Sequence, residues 1–321
     1  MRREASSQGF ENPKLAFLFP GQGSQYVGMG SLLAKQFEEA RRVFEEADEA
    51  VGFSVSKLCF EGPEEELKRT QNTQPALLAV SVACLRVLHQ LGFEPDIVAG
   101  HSLGEYSALV AAESLTLADA VRLVRMRGRY MQEAVPEGTG AMAALLKLPE
   151  GKLDQILEEA AQGEVIAAAN FNSPDQVVIA GDAGAVERAT TLAKTAGAKR
   201  AVLLPVSAPF HCALMRPAQE RLRADLDATS FKDLNVPLIN NWQAREVRTA
   251  EDARQGLYQQ IPNPVLWTDT VREMGRRGVR RFVEVGAGSV LIGLSRSIDP
   301  AMQGFKFGEP ADLDKLRVAL D

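Results

Sequence analysis

Short, unbroken apolar runs alternate along this chain with longer stretches of helical periodicity. The run Lys14-Leu15-Ala16-Phe17-Leu18-Phe19 shows no in/out alternation and predicts a short strand buried on both faces. Residues 31–51 and 74–91 repeat apolar positions three and four apart and predict two amphipathic helices. Between them, Gly62-Pro63-Glu64-Glu65-Glu66-Leu67 predicts a turn into a short helix with its glutamates in solvent. A second buried strand is expected over 96–100. A helix over 117–131 follows, with Thr116 as its N-cap.

Past Pro136-Glu137-Gly138-Thr139-Gly140 the pattern becomes regular. Strands are expected over 141–147, 164–171, 176–182 and 199–206, and helices over 151–161 and 185–196. The order strand, helix, strand, strand, helix, strand is the ferredoxin-like arrangement. Beyond it come a helix over 215–227, a strand over 236–240 ending in Asn240-Asn241, a helix closing over 255–261 before Pro262 and Pro264, and a strand over 280–285. The chain therefore reads as α/β. A large domain over 14–138 and 207–321 is interrupted by a small ferredoxin-like domain over 139–206. Residues 1–13, polar and mixed in charge, read as a flexible lead-in without the apolar segment of a signal peptide.

Composition narrows the function. The net charge is -6, which argues against nucleic-acid binding. No apolar run approaches the roughly 18 residues of a membrane helix. Cys59, Cys84 and Cys212 show neither metal-ligand spacing nor a disulfide framework, so a reducing cytosol fits and no metal is expected. His89, near the end of its helix, reads as a surface or capping residue.

The chemistry concentrates at Gly100-His101-Ser102-Leu103-Gly104-Glu105. An apolar strand enters this stretch and a run of small, helix-forming residues leaves it. That is the nucleophile-elbow pattern G-x-S-x-G of an α/β-hydrolase-like domain. Ser102 sits on the bend, and the following helix N-terminus faces a developing oxyanion. Two other glycine-rich turns carry less. Pro20-Gly21-Gln22-Gly23-Ser24-Gln25 lacks the Gly-Lys-Ser/Thr of a phosphate loop. Gly286-Ala287-Gly288 has Leu291 where a dinucleotide site needs its third glycine.

Helical phase separates the arginines of 117–131. Arg122, Arg125 and Arg129 share a face expected in solvent. Arg127 falls beside Ala120, Leu123 and Met131 on the apolar side. A buried guanidinium calls for a carboxylate, supplied either by a structural ion pair or by a substrate. A serine nucleophile also needs a base. His101 adjoins the serine and is expected to point away from it, and His89 has no supporting motif. His211, on a loop at the domain junction, is the base by elimination. No Asp or Glu is marked by its context as a third triad member.

Five stretches closely resemble malonyl-CoA:acyl-carrier-protein transacylases. They are the elbow through Leu109, Phe19-Pro20-Gly21-Gln22-Gly23-Ser24-Gln25, Arg125-Met126-Arg127-Gly128-Arg129-Tyr130-Met131-Gln132, Pro209-Phe210-His211 and Pro264-Val265-Leu266-Trp267. The resemblance spans about residues 14–310, in the same order. It implies that Ser102 carries a malonyl ester and that His211 is base and then acid. The backbone carbonyl of Gln260 would hold His211 in place of a carboxylate. The N–H groups of Gln22 and Leu103 would form the oxyanion hole, and Arg127 would bind the malonyl carboxylate. Met131, Asn170, Asn172, His101 and Phe210 would complete the acyl-binding cleft.

The implied substrates are malonyl-CoA and the phosphopantetheine thiol of holo acyl carrier protein, with no tightly bound cofactor. A cytoplasmic monomer serving fatty acid synthesis is expected. Polyketide-type malonyl or methylmalonyl transfer, a serine esterase or thioesterase, and a non-catalytic carrier-protein scaffold are the alternatives. Phe210 narrows the pocket toward malonyl. The small domain is expected to shield the acyl-serine from water. Leu266, where a basic residue is common, and Ala287 and Ser289, where Pro and Lys are common, depart from the family pattern outside the catalytic set. The run Arg272, Arg276, Arg277, Arg280, Arg281 is either a carrier-docking patch or a solvated face.

Overall fold

The computed structural model describes residues 14–320. The lead-in expected over 1–13 lies outside the described residues. The strands are β1 (Lys14–Phe19), β2 (Ile97–Gly100), β3 (Gly140–Leu146), β4 (Ile166–Ser173), β5 (Gln176–Asp182), β6 (Arg200–Leu203), β7 (Leu238–Ile239), β8 (Glu246–Val247), β9 (Val279–Val285) and β10 (Gln303–Phe307).

A six-stranded sheet runs in the order β10-β9-β1-β2-β7-β8, parallel except at β8. β1 is central, with Phe17 opposite Val98 of β2 and Val283 of β9. Ala16, Phe17, Leu18 and Phe19 are all buried, which is why the run carries no alternation. β1 and β2 end side by side, with Phe19 opposite Gly100. The elbow and the Pro20–Gln25 turn therefore leave the sheet together, at the carboxyl ends where parallel sheets form their sites. They touch directly: a Cβ on Gly21 would lie 2.5 Å from the His101 carbonyl oxygen.

The helices differ from the periodicity in two places, each with a physical cause. The pattern over 31–51 predicts one helix, but Phe37 is extended (φ -123°, ψ 125°) and separates Ser31–Gln36 from Glu38–Val51. Leu33, Ala40, Val43 and Phe44 reach one core from both sides of the break, so the apolar rhythm runs across it. The second helix starts at Thr70, a turn ahead of the expected 74, and takes Pro75 into its interior. A proline there leaves the Gln71 carbonyl without its helical N–H partner. Arg125 Nη1 donates to that carbonyl at 2.7 Å, and its guanidinium lies 4.7 Å from the Phe53 ring centroid. Arg125, expected in solvent with Arg122 and Arg129, is thus a half-buried patch on a backbone defect.

The helix Leu117–Glu133 begins as expected, Thr116 Oγ1 accepting from the Asp119 N–H at 3.1 Å. It crosses Thr70–Gln90 closely: a Cβ on Gly128 would lie 2.7 Å from the Thr70 carbonyl oxygen. That approach sets Arg127 against the partner helix.

The second sheet is antiparallel, ordered β4-β5-β3-β6, with helices Leu153–Ala161 and Ala183–Thr195 packed on one face. This is the ferredoxin-like arrangement. β6 is shorter than the expected 199–206: Leu204 still donates to the Met142 carbonyl at 2.8 Å, but Pro205 has no N–H to continue the ladder, and Leu204, Pro205 and Val206 line a cavity. On the other flank the two sheets are joined by backbone. Phe171 N–H donates to the Val265 carbonyl and Val265 N–H to that of Ala169, each at 2.9 Å. β7 covers only two of the five residues expected over 236–240, since Asn240 turns the chain by accepting from the Gln243 and Arg245 N–H groups.

No helix among the described residues is long and apolar enough to cross a membrane. The basic run is largely consumed locally: Arg272 pairs with Asp269, Arg276 with Glu273, and Arg277 with Glu273 and Glu246. Arg280 and Arg281 donate to backbone carbonyls.

Candidate active site

Ser102 occupies left-handed backbone (φ 52°), uncommon for a residue with a side chain. The turn is enforced by its flanks. A Cβ on Gly100 would lie 1.9 Å from the Gly104 carbonyl carbon, and one on Gly104 would lie 2.0 Å from the Phe19 oxygen. Only glycine fits at either position, and the Ser102 hydroxyl is pushed clear of the sheet.

His211 arrives from 109 positions further along the chain, also in left-handed backbone (φ 60°). Its Nε2 lies 2.8 Å from Ser102 Oγ. Its Nδ1 lies 3.0 Å from the Gln260 carbonyl oxygen. A carbonyl only accepts, so Nδ1 carries the proton and donates, leaving the Nε2 lone pair on the serine hydroxyl. Burial, then the charge of Arg127, push the His211 pKa down to about 3, against the bond to Gln260. The imidazole is therefore neutral at pH 7.

Arg127 is buried, at 2% exposure. Nη1 donates to Gln74 Oε1 at 2.8 Å, and Nη2 donates to Gln260 Oε1 at 2.9 Å and to Ser102 Oγ at 3.0 Å. Nε has no partner among the described residues. The guanidinium also faces the Tyr106 ring, 5.6 Å from its centroid. Of the two sources of a carboxylate that phase left open, an internal salt bridge is absent among the described residues. Amide oxygens hold the cation instead, beside the nucleophile. Burial lowers the Arg127 pKa, but a guanidinium stays charged.

A cavity of about 500 Å³ opens over this group. Gln22 and Leu103 lie on its wall with Ser102, Arg127 and His211. Neither the Gln22 nor the Leu103 N–H has a partner among the described residues. Met131, Asn170, His101 and Phe210 also line it. Asn172 does not: its Oδ1 meets His101 Nε2 at 2.8 Å, so it holds the histidine rather than the cleft. His101 is wedged between that bond and Trp267, whose ring lies 5.5 Å away.

Two buried residues given no role by sequence reading underlie the site. Asn241 Oδ1 accepts from the Ser102 N–H at 2.6 Å, and its Nδ2 donates to the Gly100 carbonyl at 2.7 Å. Glu105 Oε2 accepts from the Asn241 N–H and from Gln260 Nε2, each at 2.9 Å. Burial raises the Glu105 pKa to about 7, opposed by those two bonds and by Arg127. The available signal for Glu105 was a charged residue on a helix, Gly104–Ala111, that is otherwise made of small and apolar side chains.

Comparison with known proteins gives the family. The acyl transferase domain family model covers residues 16–300. A malonyl CoA-acyl carrier protein transacylase of Escherichia coli K12 is 50% identical over 299 residues, 93% of this chain and 97% of that protein. An acyl carrier protein S-malonyltransferase of Vibrio cholerae superposes with a TM-score of 0.92 at 47% identity, covering 94% of this chain and 99% of that one. A malonyl-transacylase solved with its type II polyketide acyl-carrier protein superposes equally, with a TM-score of 0.92 at 46% identity over 94% and 98% of the two chains. On the extent of these matches, and with its serine elbow, this chain belongs to the acyl transferase domain family.

Proposed function

We propose that this chain transfers a malonyl group from malonyl-CoA to the phosphopantetheine thiol of acyl carrier protein, for fatty acid synthesis, through an ester on Ser102. One observation carries the reading. A buried guanidinium that makes no direct salt bridge among the described residues lies 3.0 Å from the nucleophile, which suits an acyl group bearing its own carboxylate. The activity named for the relatives supports it.

Arg127 takes the malonyl carboxylate and so fixes the thioester carbonyl over Ser102. Oγ attacks as its proton passes to His211 Nε2. The N–H groups of Gln22 and Leu103 receive the carbonyl oxygen as it gains charge. The C–S bond breaks and the CoA sulfur leaves with the proton from His211. The carrier thiol then gives its proton to His211 and attacks the ester carbonyl; the C–O bond to Oγ breaks and His211 returns the proton to Oγ, which frees Ser102. Gln260 steadies the imidazolium in both halves through its carbonyl. Met131, Asn170 and Phe210 enclose the acyl chain. The small domain covers the ester, consistent with Met142, Leu204 and Val206 on the cavity wall. The enzyme works as a cytoplasmic monomer and needs no bound cofactor.

Intact-mass measurement after incubation with malonyl-CoA tests this. A malonyl adduct on Ser102, dischargeable by holo carrier protein, is expected. Folded protein without that adduct would overturn the reading. Adduct lost to water as fast as to the thiol would point to an esterase. Parallel incubations with methylmalonyl- and acetyl-CoA define the acyl range.

The pH profile is a second test. An ordinary histidine base is lost through protonation near pH 6.5. His211, held down to about 3, stays neutral well below that. The rate of Ser102 loading should therefore stay level from about pH 8 to about pH 5. An inflection near 6.5 that persists in Glu105→Gln, where the other group raised to about 7 is gone, would show that His211 titrates as an exposed group.

A further inference from the structure

We propose that Glu105 is the positioning residue for the acyl-selecting arginine: its carboxylate fixes the side-chain amide of Gln260 so that the amide oxygen faces Arg127. This rests on the reading that Arg127 binds the acyl carboxylate.

A glutamine amide can present either end. Toward Arg127 only the oxygen is useful, because a guanidinium donates and never accepts. The opposite side of the Gln260 amide is lined by acceptors. Nε2 meets Glu105 Oε2 at 2.9 Å, the Ser102 carbonyl at 3.1 Å and Asn241 Oδ1 at 3.4 Å. Oε2 already accepts from the Asn241 N–H, which makes it the acceptor oxygen of the carboxyl whether or not the group is ionised, so it admits the NH₂ end alone. A flipped amide would set its oxygen against Glu105 and its NH₂ against the guanidinium.

Glu105 thereby reaches both halves of the site. Through Gln260 it orients Arg127 Nη2, the group beside Ser102 Oγ. Through the Asn241 N–H it holds the residue that receives the Ser102 amide. Both bonds end on one oxygen, Oε2. Glu105 is 1% exposed and absent from the cavity wall, so it acts only through these neighbours. Its second oxygen lies beside Gly256, where a Cβ would be 3.6 Å away, which leaves room for an NH₂.

Three variants of the full chain separate the accepted bonds from charge and bulk. Glu105→Gln keeps an oxygen that can accept from both Gln260 and Asn241. Glu105→Asp keeps the charge but withdraws the oxygens by one methylene. Glu105→Ala removes both. The readout is the ratio of malonyl to acetyl loading on Ser102, per folded enzyme, with thermal melting alongside. Glu105→Gln should stay within about threefold of the wild-type ratio. Glu105→Asp and Glu105→Ala should lower it about tenfold or more, through a KM for malonyl-CoA that rises beyond any loss shared with acetyl loading through Asn241 and Ser102.

A purely structural role would lower melting temperature and leave the ratio of the folded fraction intact. That outcome, in Glu105→Asp or Glu105→Ala, overturns the proposal, as does a Glu105→Gln variant that loses the ratio. If neither shortened variant folds, the Glu105→Gln ratio decides. Wild-type protein that forms no malonyl adduct would instead remove the functional reading beneath the proposal.

Discussion

Replacing His211 with alanine is expected to slow malonyl loading of Ser102 by about 10²–10⁴-fold while the protein still folds. Nε2 is the acceptor that receives the hydroxyl proton, at 2.8 Å. The other close neighbour of Oγ, Arg127 Nη2, is a donor and cannot replace it. The variant would retain the substrate pocket, the arginine and both free N–H groups, so binding should change little and the loss should fall on kcat. Alanine at φ 60° costs about 1 kcal/mol of strain, but the histidine already bears it. Single-turnover mass measurement with malonyl-CoA gives the number. A loss below about tenfold would mean that the proton leaves by another route.

The Arg127→Ala variant should lose malonyl transfer by about 10²-fold in kcat/KM and gain in acetyl transfer. A bidentate, charge-assisted contact contributes about 1.5–3 kcal/mol, or roughly 10–150-fold. The wild-type preference has a second component. An acetyl group seated in the wild-type site leaves a buried cation with amide partners only, and that penalty disappears with the guanidinium. The two effects act in opposite directions on the two substrates, so the malonyl-to-acetyl ratio should move further than either rate. Gln74 and Gln260 each lose a donor, which predicts lower thermal stability as well. An unchanged acyl preference in a folded Arg127→Ala protein would dismiss the carboxylate clamp.

What the sequence revealed about this site depended on how local each signal was. The elbow was legible because its glycines and serine are contiguous in sequence, even though Gly104 is demanded by the distant Phe19 carbonyl and only Gly100 by a neighbour four residues on. Arg127 was legible because helical phase alone places it with Leu123 and Met131. Gln260 offered nothing local: the atom it gives to His211 is a backbone carbonyl, which every residue has. Asn241 and Glu105 are joined across 136 positions, and their partners Ser102 and Gln260 are equally remote. No periodicity encodes such pairings.

The same division holds for the fold. β1 and β2 are buried on both faces and read as apolar runs, whereas β7 and β8 are two-residue strands with almost no pattern to read. The break at Phe37 was hidden because both helices it separates feed one core. Arg125 misled because a half-buried arginine bonded to a carbonyl has the same helical phase as a solvated one.

The backbone seam between Ala169–Phe171 and Val265 has a mechanical consequence. It is a strand-like join, reinforced where Thr268 Oγ1 donates to the Phe171 carbonyl at 3.0 Å. The opposite side of the cleft is closed by Leu204, Pro205 and Val206, which contribute side chains to the cavity wall beyond the end of β6. Rotation that leaves the seam intact must use it as a fulcrum. The gap then changes least at Asn170. A long pantetheine arm would be threaded past the apolar flank, while the atoms that hold His101 and the rear of the pocket keep their places.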